Sequence, residues 1–196
     1  MKAWLFSLLL LFALPALSDE AKRQLLEYSA FPDRSNNFAE ASFSCRLPKH
    51  PALGILFLAG GTDCDARPWL LDPRWQALAD SERLVLIAAC LRGAGEAYEV
   101  ASKGSGQALL DAIDTFARKS GRPDLSSLPV TLYGHSAGAQ FVFNFACWKP
   151  ERVRAIICLK SGPLACPSRH HLHHEIGGRT LLPGRARQRS GFRRGT

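Results

Sequence analysis

The chain has 196 residues and a formal net charge of +8. Residues 167–196 hold seven arginines against one acid, Glu175, so this segment carries +6 and the preceding 166 residues carry only +2. Because the first 166 residues are nearly neutral, their charge gives no reason to expect nucleic-acid binding or stable membrane association. No Cys-x-x-Cys pair occurs, which leaves a metal knuckle or a thioredoxin-like redox site without support.

The N-terminus has the pattern of a signal peptide. One lysine precedes the uncharged apolar run Ala3–Leu14, and Pro15 then breaks the helix before the small residues up to Ser18. The run is too short to span a bilayer comfortably, which argues against an uncleaved anchor. We therefore expect a signal peptide over residues 1–18, cleaved after Ser18, and a secreted or periplasmic protein.

The segment 19–37 precedes the first strong strand pattern, and Asp19–Tyr28 within it is compatible with a short helix. Phe38–Leu47 alternates apolar and polar residues, as a half-buried strand does. Leu53–Leu58 is continuously apolar, which is typical of a strand that helices cover on both faces.

The next stretch alternates helix and strand patterns. Asp72 and Pro73 predict a helix start, with Asp72 as the cap and Pro73 at the first helical position. Leu84–Ala89 predicts a second buried strand, and Leu91–Lys103 a loop on the substrate side of the sheet. Gly106–Lys119 has the spacing of an amphipathic helix.

Six cysteines are present, and an exported protein can form disulfides. Cys64 and Cys90 follow consecutive predicted strands, so a bridge between them is one possibility. Cys147 and Cys158 lie in apolar runs and are expected to be buried small hydrophobes. The remaining two cysteines are Cys45 and Cys166.

The clearest motif in the sequence lies within residues 130–148. A short β-rich run, Val130–Tyr133, leads into the five residues Gly134–Gly138, and Ala139–Trp148 then predicts a helix. Ala155–Leu159 predicts another buried strand. This alternation of strands and helices predicts an α/β fold with a parallel sheet and a site at the carboxyl ends of its strands.

Gly134-His135-Ser136-Ala137-Gly138, placed between a strand and a helix, resembles the nucleophile elbow of the α/β-hydrolases. The resemblance covers roughly residues 38–163. It implies a doubly wound, mostly parallel sheet with helices on both faces, with Ser136 as the nucleophile. The two glycines would let neighbouring backbone pass without a Cβ collision. His135 cannot easily reach the adjacent serine as a base.

A second motif supports the resemblance. Ala59-Gly60-Gly61-Thr62 follows the predicted strand Leu53–Leu58. In the family, a glycine-rich turn here donates one oxyanion N–H and the residue after the nucleophile donates the other. The donors implied here are Gly61 or Thr62, together with Ala137. The more familiar motif begins with His where this chain has Ala59, and a plain glycine turn is the alternative.

The acid and the base of a triad are not assigned. In the family the chain order is serine, acid, histidine. After Pro163, Glu175 is the only acid, and no histidine follows it; four histidines lie just before it, at positions 170, 171, 173 and 174. Without a base, a serine hydroxyl is a poor nucleophile near neutral pH.

The composition changes near Leu164, and residues 164–196 are expected to form a basic, disordered tail. Three explanations stay open: a gene truncated or frameshifted here, a natural short protein that keeps the scaffold without catalysis, or a functional tail whose histidines bind metal or whose arginines bind anions. An incomplete C-terminus would leave Ala155–Leu159 as an exposed apolar edge and the chain unstable or poorly soluble.

The resemblance implies a serine hydrolase of small-molecule carboxylic esters that needs no cofactor. Within the family, the short layout and the export signal are similar to secreted esterases related to feruloyl esterases and polyester depolymerases. The alternative is a catalytically silent binding protein on the same scaffold.

Overall fold

The computed structural model describes residues 25–93 and 97–164. The predicted signal peptide, the four histidines at 170–174 and all of the predicted tail except Leu164 lie outside the described residues. Within these ranges, no helix is both long enough and apolar enough to cross a membrane.

The described residues form a six-stranded sheet with the order β1-β2-β4-β3-β5-β6. β2 is antiparallel to both of its neighbours, and the other pairs are parallel. β3 is buried at all six positions, as its continuous apolar sequence predicts. The strands are Leu26–Ala30, Phe38–Arg46, Gly54–Ala59, Leu84–Gly93, Val130–His135 and Val153–Leu159.

In the described ranges, three α-helices cover the sheet: α1 (Pro73–Glu82), α2 (Ser105–Ser120) and α3 (Ala137–Trp148). Residues of α2 and α3 share one core with one face of the sheet, and α1 contributes to a second core on the opposite face. The carboxylate of Asp72 accepts a hydrogen bond from the backbone N–H of Arg74, which confirms the predicted cap. The predicted fold class, α/β with helices on both faces of a mostly parallel sheet, is confirmed.

The N-terminal edge differs from the prediction. Residues 26–28, assigned to a possible helix, belong to β1, which pairs with β2. Tyr28 lies opposite Phe43 in this pairing, with their ring centroids 6.2 Å apart. The strand is fixed by its pairing with the next strand along the chain, a partner that the pattern within residues 19–28 does not show.

The disulfide between Cys64 and Cys90, one possibility from the sequence, is not formed, because both thiols are free. β4 runs on to Gly93, so Cys90 lies within the strand and not after it. Asp65 pairs with Cys90 in an antiparallel bridge, which places these two side chains on one face of the sheet. Cys64 lies in the turn just before this bridge, where it lines a small void with Leu91.

Cys147 and Cys158, which lie in apolar runs and are expected to be buried small hydrophobes, also differ from expectation. Cys147 is disulfide-bonded and is not a buried thiol. Cys158 is a free, half-buried thiol whose Sγ donates to the carbonyl of Ala139 at 3.5 Å. Burial raises the pKa of the Cys158 thiol.

β6 forms at the predicted place but is not buried as predicted. Its large apolar side chains are partly solvent-exposed: 39% for Ile156, 46% for Ile157 and 43% for Leu159. The reason is positional, since β6 is the last strand in the sheet and no described element lies beyond it.

Candidate active site

The geometry of the site begins with the sharp turn at Ser136, between β5 and α3. Ser136 has φ 56° and ψ −120°, a conformation that a residue with a Cβ rarely adopts. Three hydrogen bonds hold it there. Its N–H donates to the carbonyl of Leu159 at 2.9 Å, and its carbonyl accepts from Ala139 at 2.9 Å and Gln140 at 3.3 Å.

Neighbouring backbone atoms leave no room for a side chain at Gly134 and Gly138, the two glycines that flank the turn. A Cβ at Gly134 would lie 2.7 Å from the Cα of Ala139 and would also collide with the carbonyl of Gly138. A Cβ at Gly138 would lie 2.6 Å from the carbonyl oxygen of Ala59 and would overlap that of Gly60. The predicted steric role of these glycines is confirmed.

The glycine-rich loop after β3 lies directly against the turn. A Cβ at Gly61 would be 3.3 Å from the Cβ of Ser136 and 3.7 Å from Nδ1 of His135. The loop is held locally by a hydrogen bond from the N–H of Cys64 to the carbonyl of Gly61, 3.1 Å. Thr62, the alternative donor predicted from sequence, is exposed and lines the same pocket as Gly61 and Ser136.

This pocket has a volume of about 570 Å³, and no Asp, Glu, Lys or Arg of the described residues lines it. Three residues that line the pocket were not predicted from the sequence, namely Cys64, Trp69 and Tyr133. The Trp69 and Tyr133 rings meet edge to face with centroids 6.2 Å apart, and Trp75 packs against Tyr133 at 5.1 Å. Strand alternation could have indicated Tyr133, because it stands two residues before His135 on the same face.

The backbone N–H groups around the pocket are unused. Within the described ranges, those of Gly61, Thr62 and Ala137 donate no hydrogen bond. Ala137 is the first residue of α3, where N–H groups have no partner within the helix and the helix dipole is positive. Such donors can stabilise negative charge that develops on an oxygen beside Ser136.

A base for Ser136 is absent from the described part of the chain. The Ser136 hydroxyl makes no hydrogen bond to any described residue, and His135 lines the pocket without bonding to it. His50 lies in the turn between β2 and β3, at the opposite end of β3 from Ser136. No group of three or more His, Cys, Asp or Glu side chains in these ranges is arranged to hold a metal.

The two acids of the loop after β3 are paired with arginines. Asp65 accepts two hydrogen bonds from the Arg67 guanidinium, at 2.7 and 2.8 Å, and these bonds lower the pKa of its carboxyl. Asp63 is exposed and lies 3.4 Å from Arg92.

Neither a family model nor a curated protein sequence matches this chain. Solved structures do match it. An S-formylglutathione hydrolase from Agrobacterium tumefaciens is 14% identical, with a TM-score of 0.53, and the match covers 70% of this chain and 57% of that one. A ferulic acid esterase is 13% identical, with a TM-score of 0.51 and the same coverage.

The chain thus spans just over half the length of these two proteins. In this chain the sheet and its helices place Ser136 at the carboxyl end of β5. The described residues have the fold of the α/β-hydrolases.

Proposed function

We propose that this protein is a serine hydrolase of carboxylic esters, with Ser136 as the nucleophile. The observation that carries the proposal is the strained backbone of Ser136 (φ 56°, ψ −120°) at the edge of the 570 Å³ pocket. Strain of this kind persists only where the surroundings impose it, and it clusters at functional sites. The fold, found also in an S-formylglutathione hydrolase and a ferulic acid esterase, supports the proposal by analogy.

In the proposed reaction, the Ser136 hydroxyl attacks the acyl carbon of an ester in the pocket. The N–H of Ala137, with that of Gly61 or Thr62, stabilises the oxyanion as it forms. One such donor contributes a factor of about 10² to 10³ in kcat in well-studied hydrolases. The proton of Ser136 passes to a base that is not among the described residues, and the base then protonates the departing alcohol.

The test is covalent labelling of the full chain with a fluorophosphonate probe, because labelling requires an activated hydroxyl. We expect modification at Ser136, located by peptide mass mapping, and none in Ser136→Ala. The matched control is Ser127→Ala, which removes an exposed serine far from the pocket and should label like the parent. A folded parent chain that does not label would overturn the proposal.

The second candidate function is ester or small-molecule binding without catalysis. The observation that favours it is the lack of a base beside Ser136 in the described residues. It predicts no labelling, but a shift in thermal stability when an uncharged ester is added, because a ligand of the folded state stabilises it. The Gly61→Val variant, which crowds the pocket beside Ser136, should abolish that shift.

A further inference from the structure

Cys147, in the last turn of α3, is disulfide-bonded. The structure holds a single chain, so the sulfur bonded to Cys147 belongs to the same chain. Of the six cysteines in the sequence, the free thiols are Cys45, Cys64, Cys90 and Cys158. The remaining cysteine is Cys166, two positions beyond the last described residue. Elimination therefore points to Cys166.

The course of the chain after β6 supports this pairing independently. Lys160 has φ 48°, a left-handed conformation that turns the chain away from the strand direction. A Cβ at Gly162 would lie 2.9 Å from Nε2 of Gln140, and that Nε2 donates to the carbonyl of Pro163 at 3.4 Å. Leu164 then lines a groove with the next turn of α3. The segment therefore follows α3 towards its C-terminal end.

This direction leads to Cys147. Gln140, Asn144 and Cys147 lie at positions i, i+4 and i+7, so they share one face of α3. Seven helical residues rise about 10 Å, and the three extended steps from Pro163 to Cys166 also span about 10 Å. An extended chain that continues along this face therefore brings Cys166 level with Cys147.

Cys158 is too far along α3 to replace Cys166 as the partner. Its Sγ donates to the carbonyl of Ala139 at 3.5 Å, in the first turn of the helix. Ala139 precedes Cys147 by eight helical residues, which is about 12 Å along the axis. A disulfide requires two Cα atoms within about 7 Å of each other. Cys158 therefore lies at the wrong end of α3.

We infer that Cys147 and Cys166 form a disulfide that fastens residues 160–166, which we call the strap, along α3. The strap fixes the end of β6, where the carbonyl of Leu159 accepts the hydrogen bond from the N–H of Ser136. It therefore supports the backbone of the turn at Ser136, whether or not Ser136 is catalytic.

Formation of the bond requires an oxidant, which we take to be a low-molecular-weight disulfide. The thiolate of one cysteine attacks a sulfur of that disulfide, and one thiolate of the oxidant leaves. The thiolate of the second cysteine then attacks the protein sulfur of the mixed disulfide, and the other thiolate of the oxidant leaves. The two protons lost by the cysteines pass to the two released thiolates.

The experiment maps the disulfide in the full chain, purified under oxidising conditions, alkylated without reduction and digested with trypsin. Trypsin cuts after lysine and arginine but not before proline, so Cys147, Cys158 and Cys166 fall into the separate peptides 120–152, 155–160 and 161–169. We expect peptide 120–152 linked to peptide 161–169, with the link lost on reduction. Peptide 155–160 should carry an alkylated thiol.

A count of thiols in denaturant provides a second test. The parent should have four reactive thiols, because two of its six cysteines are bonded. Cys166→Ser should have five, since it releases the thiol of Cys147. The matched control, Cys158→Ser, should have three and keep the linked peptides. Four thiols in Cys166→Ser would mean that Cys147 is bonded elsewhere.

Thermal unfolding tests the effect of the strap on stability. The disulfide closes a loop over residues 148–165 and so restricts the unfolded chain. Cys166→Ser should lower the Tm of the oxidised chain by roughly 5 to 10 °C. Full reduction should lower the Tm of the parent by the same amount and leave that of the variant unchanged. A parent whose Tm does not respond to full reduction would contradict the supporting role of the strap.

Three results of the peptide map overturn the pairing. An alkylated Cys147 would mean that its thiol is free in solution, and a link between peptides 120–152 and 155–160 would assign its partner as Cys158. A covalent dimer joined through two copies of peptide 120–152 would assign the bond to a second copy of the chain. All three are read from the parent chain, so they do not depend on the folding of any variant.

Discussion

β5 and β6 are neighbours with similar apolar sequences, yet they have different surroundings. Leu132 of β5 is fully buried, while its register partner Ile156 of β6 is 39% exposed. β5 has a strand on either side and ends in a strained turn fixed by glycines, whereas β6 has one strand neighbour among the described residues. The comparison teaches that the burial of a strand in this sheet depends on its position as well as on its sequence.

The largest expected effect is at the elbow itself. Gly138→Ala places a Cβ against the carbonyls of Ala59 and Gly60, neither of which can move without displacing β3 or its loop. We expect a loss of about 4 kcal/mol or more in the free energy of unfolding, measured in urea. Gly121→Ala is the matched control: Gly121 has φ 67° but open space around it, so the loss there should be about 1 kcal/mol.

Leu132 and Ile156, which are paired in register, allow a direct test of the comparison between β5 and β6. Leu132→Ala should cost about 2 to 5 kcal/mol, because it removes a fully buried side chain and leaves a cavity. Ile156→Ala removes a similar number of atoms from a partly exposed position and should cost less than about 1.5 kcal/mol. Equal losses for the two variants in urea unfolding would mean that β6 is covered in solution.

Relieving the backbone strain at Ser136 should increase the free energy of unfolding. Ser136→Gly relieves a positive φ in a residue that bears a Cβ and should stabilise the fold by about 1 to 2 kcal/mol. Ser136→Ala keeps the Cβ and should change stability by less than about 0.5 kcal/mol. A loss of stability in the glycine variant would contradict the strain.

The smallest effect concerns the Asp65–Arg67 pair. Because the pKa of Asp65 is lowered in the fold, its carboxylate stabilises the protein above its ordinary pKa, and this contribution is lost as the pH falls through the lowered value. Asp65→Asn should cost less than about 1 kcal/mol near neutral pH, since the pair is partly exposed. The difference from the parent should shrink in urea unfolding below about pH 4.

The sequence predicted what depends on short-range pattern. The elbow glycines, the Asp72 cap and the amphipathic spacing of α2 are local signals, and all three are found. What it could not predict depends on pairing across the chain. β1 is fixed by its pairing with β2, and Cys90 lies inside β4 because that strand continues to Gly93.

The residues of the pocket likewise divide into those that a local sequence pattern predicts and those that it does not. Ser136, Gly61 and Thr62 lie in recognisable motifs, whereas Trp69 lies in the short 3-10 helix Arg67–Leu71, whose sequence has no functional pattern. Its place beside Tyr133 is set by the packing of α1 on the sheet.

The hydrogen bond from the N–H of Ser136 to the carbonyl of Leu159 has a consequence for biosynthesis. A chain is made from its N-terminus, so Ser136 leaves the ribosome before the residue that holds its backbone in place. The elbow also needs the β3 loop, made some 75 residues earlier. We therefore expect the backbone of the nascent Ser136 to stay unstrained until β6 has emerged from the ribosome.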